Sequence, residues 1–210
     1  MTLNGDRRHT TPHVISLADH HVPARSGRLA APVTARDHML GSVEAGITLV
    51  EYGEFECPHC GRAHFQLKEL RDRLAELNAR FVFRHFARDE VHPFSVRAAV
   101  AAEAAAAQGR FWEMHDHLFE NQHALEYEDL ERHAVAVGLD VDRFLHDFRD
   151  PRHLDVVLSH RDGAIESQVT STPTFFLNDA PYHGSYDLDA LVAAIEEEAE
   201  VPSHPEHAAR

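Results

Sequence analysis

The chain has 210 residues and carries 35 acidic side chains against 20 lysines and arginines, which gives a formal net charge of −15. So negative a protein is a poor candidate for sequence-independent binding to nucleic acid, and its length suffices for one good-sized domain or a small domain enlarged by an insertion. No apolar stretch is long enough to span a membrane, and residues 1–9 lack the apolar core of a secretory signal. We therefore expect a cytoplasmic protein without nucleic-acid or membrane partners.

The amino-terminal half of the sequence predicts an arm followed by strands and a helix. Residues 1–28 are polar and lack sustained periodicity, which is typical of a flexible arm. A short strand over 29–33 and a turn over 37–41 are predicted next. The apolar, β-rich run 47–52 then predicts a buried strand. A helix is predicted from Cys57 to Leu77, because apolar residues recur there at steps of three and four: Ala63, Leu67, Leu70, Leu74 and Leu77.

The other half predicts a second strand, a series of helices and a closing hairpin. Residues 80–87 alternate in character and predict a strand parallel to the first, which completes a β-α-β unit. Helices are predicted over 94–107, 111–119, 129–137, 141–148 and 154–168. A hairpin with strands over 174–177 and 180–182, a helix over 188–198 and a disordered tail over 201–210 complete the prediction.

The tetrapeptide Cys57-Pro58-His59-Cys60 contains the only two cysteines of the chain. A structural disulfide would gain little from closing so small a loop, since the benefit grows with loop length. A structural zinc site would normally need two more cysteine or histidine ligands at defined spacings. The spacing therefore favours a redox-active pair.

The position of the motif at the start of a helix predicts different roles for the two sulfurs. Pro58 suits the first helical turn, and a Cys57 thiolate would be stabilised by unpaired N–H groups and the helix dipole. His59, as an imidazolium, would add positive charge beside that exposed sulfur. Cys60 lies a turn deeper, where burial suits a resolving cysteine. Glu51, on the preceding strand, is the best-placed carboxylate to accept its proton, although a solvated strand residue is an equal alternative.

These segments resemble the DsbA-like branch of the thioredoxin superfamily. The resemblance rests on Leu49-Val50-Glu51-Tyr52-Gly53, on Phe55-Glu56 leading into the cysteine motif, and on the late segment from Thr172 to Asn178, and it covers about residues 29–198. It implies an α/β thioredoxin fold with an inserted α-helical domain. The thioredoxin-like domain would comprise residues 29–92 and 171–200, and the insertion residues 93–170.

The resemblance also implies roles for residues outside the motif. Pro173 would follow a cis peptide bond and face the cysteines, Thr172 would offer its backbone to an extended substrate, and Glu51 would be a buried acid. Base rates alone favour an ordinary trans proline at a strand edge.

The resulting expectation is a thiol-disulfide oxidoreductase that exchanges a Cys57–Cys60 disulfide or dithiol with cysteine-containing protein or peptide substrates and an unidentified redox partner. No cofactor and no metal are expected. The alternative is a non-enzymatic metal- or partner-binding module on the same fold, in which Cys57, Cys60 and His64 could supply three zinc ligands. The other histidines are expected to be scattered over the surface, and Glu103 to be solvated.

Overall fold

A single five-stranded sheet organises the part of the chain that the computed structural model describes, residues 27–200. The predicted tail and all but the last two residues of the predicted arm lie outside the described residues. The strands are β1 (His38–Gly41), β2 (Ile47–Gly53), β3 (Ala79–His85), β4 (Thr174–Leu177) and β5 (Ala180–Tyr182). Their order is β1-β3-β2-β4-β5, with β2 and β3 parallel and the other pairs antiparallel.

Seven helices accompany the sheet in this part of the chain. Helix α1 (Pro58–Arg71) connects β2 to β3, and α7 (Leu188–Glu200) follows β5. Five helices lie between β3 and β4: α2 (Ser95–Ala106), α3 (Phe111–Glu120), α4 (Tyr127–Ala136), α5 (Val141–Asp147) and α6 (Pro151–Glu166). The predicted α/β fold with a helical insertion is thus observed. Within residues 27–200, no helix combines the length and the apolar character needed to cross a bilayer.

The central strand β2 places one of its side chains beneath the start of α1. Side chains alternate between the two faces of a strand, so Leu49 and Glu51 share a face, and Val50 and Tyr52 share the other. Leu49 packs in the larger core cluster with apolar residues of α1, whereas Val50 and Tyr52 pack in a second cluster on the opposite side. Glu51 therefore points to the side of the sheet that α1 covers.

Three predictions about the amino-terminal elements are wrong. The first strand is His38–Gly41, where a turn was predicted, because these residues pair with β3 in antiparallel register. The predicted strand over 29–33 is absent, and the N–H of Leu29 instead bonds to the carbonyl of Asp179 at 2.9 Å. Helix α1 ends at Arg71, six residues before the predicted Leu77. Leu77 remains buried in the turns that follow the helix. The apolar spacing therefore predicted the burial of this residue correctly but not its secondary structure.

The prediction of surface histidines is also wrong for several positions, since the structure buries His64, His85, His115 and His133. Glu103, expected to be solvated, is only 5% exposed. It lies on the alanine-rich face of α2, where His38 and His85 contact its carboxylate. The buried carboxylate is therefore accompanied by hydrogen-bonding partners that lie far from it in the sequence.

Candidate active site

The chain enters α1 with Cys57 at the N-cap position and Pro58 in the first turn, as the sequence predicts. The backbone N–H groups of His59 and Cys60 approach the Cys57 sulfur, and the Cys60 side chain forms a hydrogen bond with it. The bond from Cys60 is the largest influence, and together these donors outweigh burial and lower the pKa of Cys57 to about 5. Cys57 is therefore the thiolate of the pair at neutral pH.

Cys60 differs from Cys57 in its proton affinity more than in its exposure. Its side chain is fully buried, and burial raises its pKa well above that of an ordinary thiol. Cys57 is itself only 3% exposed, so the expected exposed first sulfur is not observed. The contrast that distinguishes a nucleophilic from a resolving cysteine here is electrostatic: one sulfur is charged and the other is protonated.

Glu51 lies beneath the two sulfurs and is not solvated, so that alternative is wrong. It is 1% exposed, and its Oε1 has no hydrogen-bond partner among the described residues. Burial raises the pKa of Glu51 to about 8, the nearby Arg71 opposes this rise, and the charge of Cys57 adds to it. The charge of Glu51 in turn raises the pKa of Cys60. Glu51 is thus electrostatically coupled to both cysteines.

The Thr172–Pro173 segment faces the motif. Its peptide bond is cis, as the resemblance implies. The carbonyl oxygen of Thr172 lies 3.5 Å from the Sγ of Cys57. The pairing of β4 with β2 brings the segment there, since Thr174 lies opposite Tyr52 in the register.

The ring of His59 contacts Arg62, which lies one helical turn further along α1. A guanidinium nitrogen of Arg62 lies 2.6 Å from Nδ1 of His59. Arg62 therefore places a positive charge beside the exposed face of the motif, and the role of His59 beside Cys57 stays a prediction.

The zinc set of Cys57, Cys60 and His64 is not assembled. Among residues 27–200, two groups of side chains are close enough to share a metal ion, and neither includes a cysteine. His64 instead faces the carboxylates of Asp116 and Glu120, with a nitrogen-to-oxygen distance of 3.9 Å in each case. The cysteines are left with each other and with Glu51 and Thr172 as their chemical surroundings.

A sequence model described as thioredoxin matches residues 33–197, which is most of the chain. The chain belongs to the thioredoxin family. Its fold is shared with a thioredoxin-like oxidoreductase from Silicibacter pomeroyi, with a TM-score of 0.72 and 27% identity over 80% of this chain and 95% of that one. BdbD from Bacillus subtilis gives a TM-score of 0.71 at 21% identity, covering 82% of this chain and 98% of BdbD.

A third solved structure, α-DsbA1 from Wolbachia pipientis, gives a TM-score of 0.68 at 22% identity, over 79% of this chain and 92% of that one. Matches at this level of identity establish the shared fold. The sequence model confirms the predicted thioredoxin family, and these structures confirm that the fold is shared with DsbA-like proteins.

Curated relatives of higher identity are much longer than this chain. A protein from Salinispora arenicola named as Na(+)/H(+) antiporter NhaA 1 is 44% identical over 198 residues, which cover 89% of this chain but 30% of the relative. An NhaA antiporter from Herminiimonas arsenicoxydans is 41% identical over 76% of this chain and 25% of its own length. The thioredoxin-family chain thus spans about a quarter to a third of these relatives.

Glu54 is a site residue that sequence analysis missed. Its side chain is fully buried, and its Oε1 accepts hydrogen bonds from the hydroxyl of Thr172 at 3.0 Å and from Nδ1 of His92 at 2.9 Å. Arg88 adds bonds from its backbone N–H and its guanidinium, both at 3.2 Å. The carboxylate therefore ties the Thr172 loop to the segment after β3. An acidic residue three positions before Cys57 carries no signal that distinguishes this role.

Gln122 is a second missed residue, and it comes from the inserted helices. Its Nε2 donates to the carbonyls of Phe55 at 2.8 Å and Cys57 at 2.9 Å. It also lies against Gly61, where a Cβ atom would overlap the Gln122 amide. The insertion thus holds the backbone of the motif directly. A lone glutamine in a turn after α3 gives no sequence signal for such a contact.

Proposed function

We propose that the chain is a thiol-disulfide oxidoreductase that exchanges a Cys57–Cys60 disulfide or dithiol with cysteine-containing protein or peptide substrates. The observation that carries the proposal is the pairing of a Cys57 thiol of pKa about 5 with a buried Cys60 thiol whose pKa is raised. A thiolate is both the nucleophile and the better leaving group in exchange. The low pKa of Cys57 therefore favours its release at the end of an oxidation cycle.

The exchange has two steps. A substrate thiolate attacks Sγ of Cys57 in the disulfide form, which breaks the Cys57–Cys60 bond, forms a mixed disulfide and leaves Cys60 as a thiolate that takes up a proton. A second substrate thiolate then attacks the substrate sulfur of the mixed disulfide, and Cys57 leaves as a thiolate. Reduction of a substrate is the reverse sequence. The reduction potential of the pair relative to its compartment sets the direction.

Glu51 is proposed as the proton carrier for Cys60. With a pKa of about 8, Glu51 holds a proton at neutral pH in the reduced protein, where Cys57 is a thiolate. It can give its proton to Cys60 as that thiolate is released. In the reverse direction Glu51 must first lose its proton, after which it can accept the proton that Cys60 gives up when it attacks. Its burial under the motif supports this role, because bulk water has no direct path to Cys60.

Thr172 and Pro173 are proposed as the substrate-binding segment. The carbonyl of Thr172 beside Cys57 supports this, because an extended peptide that pairs with this backbone would present its sulfur to Sγ of Cys57. Recognition through the main chain depends on an extended conformation of the substrate and not on its amino-acid sequence. The substrates would therefore be unfolded or flexible segments that carry cysteine.

The proposal is tested with two serine variants. Cys57→Ser should abolish exchange with an unfolded protein substrate. Cys60→Ser, mixed with a substrate that carries a disulfide, should accumulate a mixed disulfide: its Cys57 thiolate attacks one substrate sulfur, the other substrate sulfur leaves as a thiolate, and no resolving thiol remains. Equilibration of the wild type in glutathione buffers gives the potential of the pair. Absence of both a reversible disulfide and a trapped adduct would overturn the proposal and leave a non-enzymatic partner-binding module.

The Cys60→Ser variant also tests which partner the protein has and in which compartment it acts. A cytoplasmic location without a membrane partner remains a proposal from the sequence, and the antiporter relatives give a reason to test it. Cys60→Ser expressed in cells should collect adducts that fractionate with cytoplasmic proteins. Adducts found mainly in the membrane fraction would replace this proposal with a membrane-protein substrate.

A further inference from the structure

A cluster of two histidines and a glutamate lies away from the cysteines and has no part in thiol exchange. His38 on β1, His85 at the end of β3 and Glu103 on α2 come from three elements that the fold brings together. The Nε2 of His38 lies 2.7 Å from Oε1 of Glu103, and the Nε2 of His85 lies 2.8 Å from the same oxygen. Three potential ligand atoms therefore converge on one point.

The three side chains are well shielded and their orientation is fixed. Their exposed fractions are 15% for His38, 1% for His85 and 6% for Glu103. The His38 ring stacks on Phe111, with centroids 3.4 Å apart and planes 7° apart. The Nδ1 of His85 is buried and has no hydrogen-bond partner among the described residues. A neutral imidazole there can move its proton to Nδ1 and leave Nε2 free as a ligand without breaking a bond at Nδ1.

We propose that His38, His85 and Glu103 form a binding site for a divalent transition-metal ion of the zinc class. Two imidazoles and one carboxylate are a ligand set that zinc accepts, whereas calcium and magnesium prefer oxygen ligands throughout. Ligand atoms around a tetrahedral zinc are roughly 3.3 Å apart, given bond lengths of about 2.0 to 2.2 Å. The present contacts would need to widen by roughly half an ångström, which small side-chain rotations can supply. On binding, each neutral imidazole would keep its proton, which would move from Nε2 to Nδ1.

Access from solvent agrees with this site. Glu103 lines a cleft of about 490 Å³, which gives an ion and a fourth ligand such as water a route to the carboxylate. Arg143 and Arg152 border this cleft, and each is ion-paired with an aspartate.

The second histidine cluster is a poorer candidate. His64, His115 and Asp116 also lie close together. However, Arg71 already donates to both carboxylate oxygens of Asp116, at 2.7 and 2.9 Å, and its guanidinium lies 3.2 Å from Nδ1 of His115. The guanidinium of Arg71 already occupies the position of a cation in this cluster. A variant of this cluster therefore serves as the control for metal binding.

The test uses the full chain with Cys57→Ser and Cys60→Ser, so that no thiolate competes for metal. Titration with zinc against a chromophoric chelator should show one tight equivalent, and the cobalt(II) form should show the visible absorption of a low-coordinate site. His38→Gln and Glu103→Gln should each weaken that equivalent at least tenfold, since even outer partners of metal sites cause losses of roughly that size. His64→Gln should leave it unchanged.

Folding is monitored in parallel by thermal unfolding with and without zinc. Zinc should raise the unfolding midpoint of the parent and of His64→Gln but not of Glu103→Gln, whose amide oxygen can still accept the histidine N–H groups. If Glu103→Gln fails to fold, His38→Gln at the edge of the cluster carries the test. No tight equivalent, an equivalent retained in both ligand variants, or one lost only in His64→Gln would overturn the proposal. None of these outcomes depends on thiol exchange.

Discussion

At the scale of single residues, the thiol of Cys60 is the strongest influence on the charge of Cys57. It forms the hydrogen bond that does most to lower the pKa of Cys57, while His59 contributes through its backbone N–H and its ring is held by Arg62. The neighbouring cysteine therefore matters more to the thiolate than the histidine between the two sulfurs. This relation cannot be read from the order of residues in the motif.

Replacing Cys60 separates the hydrogen bond from the reactivity of the second sulfur. Cys60→Ser keeps a donor, whereas Cys60→Ala removes it, so the pKa of Cys57 should be higher in the alanine variant. A hydrogen bond to a charged group is worth about 1.5 to 3 kcal/mol, which corresponds to roughly one to two pKa units. Thiolate absorbance followed against pH measures both values. His59→Ala should change the pKa less than Cys60→Ala, and the reverse order would contradict this reading.

Glu51 should make stability depend on pH in a direction unusual for a carboxylate. Its folded pKa of about 8 lies above the ordinary carboxyl pKa of 4.5 expected in the unfolded chain, so the folded protein holds the proton more tightly and loses stability as pH rises between these values. Glu51→Gln removes this loss. Its stability relative to wild type should grow from pH 4.5 upward and reach roughly 3 kcal/mol near pH 7.

Urea unfolding of reduced wild type and reduced Glu51→Gln across this range measures the effect, because the charge of Cys57 that helps to raise the pKa of Glu51 exists only in the reduced protein. The titration of Cys57 is common to both proteins. A stability difference that does not change with pH would show that Glu51 ionises normally. In the reductive direction, slower attack of Cys60 on the mixed disulfide in Glu51→Gln, with an unchanged rate of mixed-disulfide formation by Cys57, would add support for the proton-carrier role.

At the scale of elements, the inserted helices and the redox helix meet at Gln122 and Gly61. The amide of Gln122 fills the space beside Gly61 while it bonds to the carbonyls of Phe55 and Cys57. A glycine inside α1 would ordinarily cost about 0.5 to 1 kcal/mol relative to alanine. Its presence is explained by the close approach of an element that lies about 60 residues further along the chain.

A double-mutant cycle tests this contact. Gly61→Ala should destabilise the protein, because a Cβ collides with the Gln122 side chain, and Gln122→Ala should cost about 1 to 2 kcal/mol for two lost hydrogen bonds. Gly61→Ala in the Gln122→Ala background should be nearly neutral or stabilising, since the space is then open. The coupling energy should fall within about 0.5 to 3 kcal/mol. Additive effects of the two changes would disprove the proposed contact.

At the scale of the whole molecule, buried histidines should weaken the fold in mild acid. Burial lowers the pKa of His115 to about 3, and the same cause acts on His160. In the unfolded chain these groups take up protons near pH 6.5. Because the unfolded state binds more protons, stability should fall as pH drops from about 6.5 towards 3.

The slope of stability against pH identifies the contribution of one histidine. Between pH 6 and 4.5, His115→Gln should reduce the slope by up to about 1.4 kcal/mol per pH unit, which is one proton in the linkage relation. His183→Gln is the matched control and should leave the slope unchanged, because that side chain is exposed and has no ion pair among the described residues. Equal slopes for wild type and His115→Gln would show that His115 is not held neutral.

The sequence by itself determined the main features of the fold and the cysteine pair. The helical and alternating patterns gave the β-α-β unit, the helical insertion and the final hairpin, because periodic burial is encoded locally. The position of Cys57 at a helix start followed from Pro58 and the apolar spacing after it. The resemblance supplied the cis bond at Pro173 and the burial of Glu51, which local patterns left open.

Only the tertiary structure decided which distant side chains meet. Strand pairing brings Thr172 to Cys57, and packing of the insertion brings Gln122 to the same backbone. The burial of Glu103 with His38 and His85 likewise follows from three elements that converge. Such contacts depend on strand register and on helix packing together. Each of them joins polar groups that lie far apart in the sequence. Local periodicity therefore marks where a side chain is buried, and the assembled fold decides what it touches.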